Sequence, residues 1–319
     1  MASANPCNRC LADGNSDMIE NSENYAAELK AVGSGDGGIA DLASASLLLA
    51  SLDRPGVSLQ KYEHHLKILA LDLKSMNITS QSATHRARAL TDVLYARHEY
   101  TGNKEFYEDL QNANLMSVID SRKGLPVALS ILYIHAARSQ GWQIEGLNFP
   151  QHFLIRLYGA SSAVDGQVII DPFNDGKILN AKDLREMIRE FNGSEYKNSD
   201  LKPEYYEPVT DREILVRLLE NIKIRCLKVS DLGQAINILM RLVLIDPEDI
   251  QHHYELGMLL AHVGRNDPAR ESLTYCRNNI DKIKQNDLIE QQVINTLLDL
   301  DKQDLESKRS NVLKLPEIE

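Results

Sequence analysis

"GLPVALSILYIHAARSQGW", residues 124–142, decides how the rest of the chain is read. From Pro126 onward apolar residues occupy every face of a helix rather than one stripe, and such a helix is buried on all sides. Gly124 leads into it and Gly141 ends it. Proline suits the first turn, because its missing N–H is one of the donors that a helix start leaves unused. The first helical position is also where many folds place a reactive side chain, and here it holds Pro126.

On the N-terminal side the spacing stays helical. "IADLASASLLLASLDRPG" breaks at Pro55-Gly56, and "VSLQKYEHHLKILALDLKSM" then puts Leu59, Tyr62, Leu66, Leu69 and Leu73 on one face. "THRARALTDVLYARHEY" predicts a third helix, Gly102-Asn103 a turn, and "NANLMSVIDSRKGLP" a short helix and loop. Residues 1–38, rich in Asn, Ser, Asp and Gly, bury too little apolar surface to offset ordering and are expected to form a disordered tail. On the C-terminal side the period changes from helical to alternating. "WQIEGLNF", "HFLIRLY" and "QVIIDPF" read as antiparallel strands, "KDLREMIREF" as a helix, and "NGSEYKNSDLKPEYYEPVT" as an interdomain connection.

Three positions in this middle region carry chemistry: Pro126, His152 opening a strand, and Asp171 closing the next one. If the loop 159–166 is symmetric, Tyr158 pairs with Gln167 and His152 falls opposite Phe173. Asp171 then shares the face of His152 one diagonal away, roughly 7–8 Å between backbones. A one-residue slip would separate them. Asp171 serves equally well as a turn-starter before "PFNDG". Ser130, one turn deeper on the same helix, reads as a hydroxyl satisfied by a backbone carbonyl, with a nucleophile as the alternative. Arg122 and Lys123 precede the helix, where they could hold an anion with its N-terminus or simply sit in a solvated loop. His64-His65 read as a solvated helix face, and His135 as satisfied within its own helix.

Further on, Ala235, Leu239 and Leu242 repeat as Ala269, Leu273 and Cys276 at an offset of 34, and His253 is followed by Leu256, Gly257 and Leu260. This spacing is close to a tetratricopeptide unit, in which small Gly257 and Ala269 let two helices approach while Leu256, Leu260 and Leu273 fill between layers. Cys226 and Cys276 then face inward as small hydrophobes.

The segments "RKGLPVALSILYIHAARSQGW", "NFPQHFLIRL" and "IIDPFNDGKIL", followed by tetratricopeptide-like helices, resemble the SirB-type (SirB1) family, whose domain is a subtype of the transglutaminase-like, papain-related fold. That resemblance covers about residues 40–285 and implies an α+β architecture. A helical lead-in precedes a transglutaminase-like antiparallel-sheet domain over 39–200, tetratricopeptide-like hairpins follow over 201–285, and a helix and charged tail over 286–319. In the comparison His152 and Asp171 fall on a triad His and Asp, Asn148 and His152 lie at a binding cleft, and Pro126, fifteen residues before Gly141, stands where the nucleophilic Cys would be. The expectation is a non-catalytic protein that binds a peptide or protein partner. The alternative is a hydrolase or acyl transferase using His152 and Asp171 with water or Ser130.

Composition excludes several classes. A net charge of −11 argues against a general nucleic-acid or anionic-membrane surface. No basic-then-apolar leader and no run of about 18 apolar residues occurs, so a cytoplasmic protein without a membrane span is expected. Cys7 and Cys10 form a lone CxxC without the second pair a zinc site needs, "GSGDGG" lacks the context of a phosphate cradle, and no cofactor or metal is expected.

Overall fold

The computed structural model describes residues 41–80, 82–160, 166–192, 201–279 and 287–312. The expected disordered tail, with Cys7, Cys10 and "GSGDGG", lies outside the described residues. Two compact units divide between Asn221 and Ile222.

The first unit opens with α1 (Leu42–Ser51), whose N-cap Asp41 accepts from the Ser44 N–H. In α2 (Gln60–Ser75) the predicted stripe Tyr62, Leu66, Leu69 and Leu73 is buried. α3 (Ala83–Thr91) is capped by Ser82 and runs on as a π-helical turn, Asp92–Arg97. Gly102, expected in a turn, instead belongs to β1 (Thr101–Gly102), which pairs in parallel with β2 (Lys123–Gly124). The reason is a close approach: a Cβ on Gly102 would lie 2.5 Å from the Phe173 carbonyl oxygen and ring. Between the two strands lies α4 (Leu115–Ser121), capped by Asn114.

α5 (Pro126–Ser139) is the quoted helix, with Pro126 in its first turn and no side-chain cap from Leu125. Eleven of its residues, Pro126–Ile134, Ala136 and Ala137, are buried. From Pro126 to Ile134 it has no solvent face, because α1, α2 and α4 pack on the helix together with β3 (Ile144–Leu147) and β4 (Leu154–Tyr158). Each fully buried Leu or Ile contributes about 1.5–3 kcal/mol, so this helix is the spine of the unit.

The sheet runs in the order β6-β5-β4-β3-β7, with β5 at Gln167–Asp171, β6 at Lys177–Leu179 and β7 at Pro208–Val209. All of its pairs are antiparallel, and Tyr158 pairs with Gln167 as loop symmetry predicts. The Gly159 N–H donates to Gly166 O at 2.9 Å and closes that loop. After β6 comes α6 (Ala181–Asn192).

The segment expected to connect domains is part of this first unit. β7 extends the sheet beside β3, and Leu201, Tyr205 and Tyr206 pack on the cluster Leu147, Phe149, Leu154, Leu179, Leu184 and Ile188. Its prolines mislead because Pro208 sits on an edge strand, where a missing N–H is tolerated. The division between the units therefore falls within α7 (Asp211–Lys228), not at residue 200.

The second unit contains the rest of α7, then α8 (Leu232–Ile245), α9 (Ile250–His262), α10 (Asn266–Asn278) and α11 (Asp287–Val312). Ala235, Leu239, Leu242, Leu256, Gly257, Leu260, Ala269, Leu273 and Cys276 are all buried. At Gly257 an added Cβ would stand 2.6 Å from Leu273 Cγ and 3.3 Å from the Ala269 carbonyl, so α9 and α10 meet through these small residues. Cys226 and Cys276 are buried and form no disulfide, and burial pushes the Cys276 thiol up to about 12. Among the described residues no helix is long and apolar enough to cross a membrane.

Candidate functional site

His152 lies just before β4 rather than opening it. Gln151 adopts a left-handed φ of 54°, and the His152 N–H closes the turn on Phe149 O at 3.1 Å. The ring nevertheless reaches Asp171, with Nε2 to Oδ1 at 2.8 Å. Both readings of Asp171 hold at once. Its Oδ1 also accepts from the Phe173 and Asn174 N–H groups at 3.0 and 3.3 Å, and its Oδ2 accepts from Asn174 Nδ2 at 2.7 Å, capping the turn Pro172–Asn174.

Asp171 is 1% exposed. Burial pushes its carboxyl up, but His152 and the Asn174 donors outweigh that and hold it below the usual carboxylate range. An ionised carboxylate only accepts, so Nε2 of His152 carries a proton. Its other ring nitrogen, Nδ1, has no hydrogen-bond partner among the described residues. Phe173 meets the His152 ring edge-on at 5.9 Å and the Tyr107 ring at 5.7 Å.

Pro126 and His152 face one small cavity, lined also by Tyr107, Leu125, Val127, Gln151, Phe153, Arg217 and Asn221. Its volume is about 30 Å³, room for a water or two. Ser130 does not line it. Its side chain is fully buried and Oγ donates to the Pro126 carbonyl at 2.8 Å.

The other candidates are placed elsewhere. Arg122 is in a left-handed conformation after α4; its guanidinium lies 4.9 Å over the Tyr100 ring and bonds the Tyr100 hydroxyl and, at 2.7 Å, His65 Nε2. Lys123 is exposed in β2. His65 is no solvated residue. It contacts Tyr100 and His98, and burial, with Arg122 beside it, lowers its pKa to about 4. His64 is exposed. His135 is held across the fold, by Asp41 at 3.0 Å and Leu66 O at 3.3 Å, not within its helix. Asn148 is exposed and reaches the site through Arg217, whose guanidinium donates to its side-chain oxygen and, at 3.3 Å, to the His152 carbonyl. Arg217, Asn221 and Tyr107 are the site residues that sequence reasoning missed. One described grouping has metal-ligand spacing, Asp246, Asp249 and His252 in the second unit. His252 Nδ1 lies 3.8 Å from Asp249 Oδ2, three residues before it at the start of α9.

A buried helix packs on an antiparallel sheet, His152 in the turn before β4 meets Asp171 at the end of β5, and His152 shares a cavity with the helix's first residue, Pro126. Residues 60–220 match the family described as the transglutaminase-like superfamily, and the chain belongs to it. It is 29% identical to a UPF0162 protein of Xylella fastidiosa strain 9a5c over 233 residues, 73% of this chain and 82% of that one. A UPF0162 protein of Vibrio cholerae is 26% identical over 183 residues, 57% and 65% of the two chains. F-box only protein 21 of Homo sapiens is 30% identical over 138 residues, 42% of this chain and 20% of that one.

Proposed function

We propose that this protein is a non-catalytic, cytoplasmic binding protein of the SirB-type (SirB1) subtype. It holds a peptide or protein partner in the cleft between Pro126 and His152 and on tetratricopeptide-like hairpins formed by α8, α9 and α10. The observation that carries this reading is Pro126 itself. A thiol in the first turn of α5 would gain from the orphan N–H groups and the macrodipole. Proline offers no nucleophile there, and the Ser130 hydroxyl, one turn deeper in α5, donates to the Pro126 carbonyl and does not line the cavity.

The test is incubation of the full chain with p-nitrophenyl acetate, followed by intact mass. No acyl-protein and no dependence of turnover on His152→Ala are expected. An adduct that disappears in Ser130→Ala would refute the reading. A second reading, in which His152 activates water, has one observation in its favour: Nδ1 lacks a described partner, and His152 lines a water-sized cavity. Turnover without an adduct, abolished by His152→Ala, would establish it.

A further inference from the structure

The cleft contains a cation without an acid. Arg217 is half-buried, and burial lowers its pKa from the ordinary guanidinium value. Its two acceptors, the Asn148 side-chain oxygen and the His152 carbonyl, are neutral. Elsewhere Arg54, Arg97, Arg138, Arg156 and Arg270 each meet a carboxylate. Among the described residues none lies within ion-pair distance of Arg217. A guanidinium taken partly out of water without counter-charge is unfavourable, and its planar fork matches a carboxylate.

The surroundings narrow the ligand. Arg217 bonds the backbone of His152, whose Nδ1 is the ring nitrogen left to accept. A cation next to an acceptor complements a carboxylate next to an N–H, which is the chemistry of a polypeptide's last residue. The cavity of about 30 Å³ admits a head group but not a chain continuing on both sides. Tyr107, on its lining, is 37% exposed and Phe106, its neighbour in the chain, 61% exposed, an apolar surface for the terminal side chain. A carboxylate arriving on an Asp or Glu stem holds its backbone N–H one or two bonds farther away and brings no separate side chain.

We propose that the cleft captures the free C-terminal carboxylate of a partner polypeptide on Arg217, with His152 Nδ1 accepting the terminal residue's N–H and Phe106 and Tyr107 covering its side chain. This rests on the binding reading above and names what that site takes.

The experiment titrates the full chain with N-acetyl-Phe-Leu, as the free acid and as the amide, following the His152 and Phe153 resonances by NMR and the peptide by mass. Saturable shifts with the acid are expected, at least ten-fold weaker with the amide. Binding of the acid should weaken at least ten-fold in Arg217→Gln and less in Arg217→Lys, with thermal unfolding checked for each variant. Equal binding of acid and amide, no shifts with either, or tighter binding of an amidated peptide with an internal Asp would overturn the proposal. The acid–amide comparison uses the unmodified protein and stands even if Arg217 variants fold poorly. Cleavage of either peptide would instead overturn the non-catalytic reading, so the two failures are distinguishable.

Discussion

Replacing Pro126 with cysteine asks whether the rest of a thiol site is still in place. The new side chain would stand in the first turn of a fourteen-residue helix, on the cavity that His152 lines. A helix N-terminus favours a negative charge by about 0.3–1 kcal/mol, and by about 2 in partly buried geometry. At about 1.4 kcal/mol per pKa unit, that alone lowers a thiol by up to about 1.5 units from 8.5. A protonated His152 beside it adds an ion pair, so the introduced thiol should titrate at or below about 7. The assay is the pH dependence of alkylation by iodoacetamide in Pro126→Cys, with Cys7 and Cys10 changed to Ser and Cys226 and Cys276 shielded by burial. Adding His152→Ala should return the titration upward by about a unit or more. Losing the proline's restriction of the unfolded chain costs at most about 1 kcal/mol, so the variant should fold. A thiol that titrates at about 8.5 or higher, the ordinary range, or one indifferent to His152, would refute the geometry argued for the cleft.

Asp171→Asn should destabilise the protein by about 2 kcal/mol at pH 7, the scale of hydrogen bonds made to a charged group. Because the folded carboxyl is held below its unfolded value, that contribution is present above the unfolded carboxylate range, about pH 4, and fades as pH falls through the folded value; urea unfolding of variant and parent should therefore converge progressively as pH falls below that range. His65 behaves oppositely in origin but alike in direction. Its folded pKa of about 4 lies below the unfolded 6.5, so stability is lost as pH drops from 6.5 to 4, and His65→Gln should flatten that slope in the same urea series. Gly102→Ala should cost about 1–3 kcal/mol, since its Cβ meets the Phe173 carbonyl and ring, and should shift the His152 ring resonances through Phe173; a neutral variant would mean the β1 contact is looser than described. Cys226 and Cys276 should react with a disulfide reagent only at the rate of unfolding, and prompt modification of the native protein would contradict their burial.

What the sequence disclosed is what periodicity controls. The α2 stripe, the buried α5 and the strand register follow from spacing, and the register alone puts His152 and Asp171 within reach of each other. Boundaries and long-range polar contacts were not legible. His135 bonds Asp41 across 94 residues and Arg122 bonds His65 across 57, and no local pattern announces which distant partner a polar side chain meets. Gly102 resembles a turn because the signal for a close backbone approach and for a bend is the same residue. Arg217 escapes notice because Pro203 and Pro208 mark a boundary before it, although α7 still belongs to the cleft there.

Pro208 also bears on how the protein behaves in a crowded solution. An open sheet edge is a template on which another chain can add a strand, the first step of aggregation. Here β7 is only two residues long and begins with a residue that has no N–H to offer. A stray unfolded chain meets a margin with little to pair with, so that edge of the sheet is guarded against growth by the same proline that hides it from a reader of the sequence.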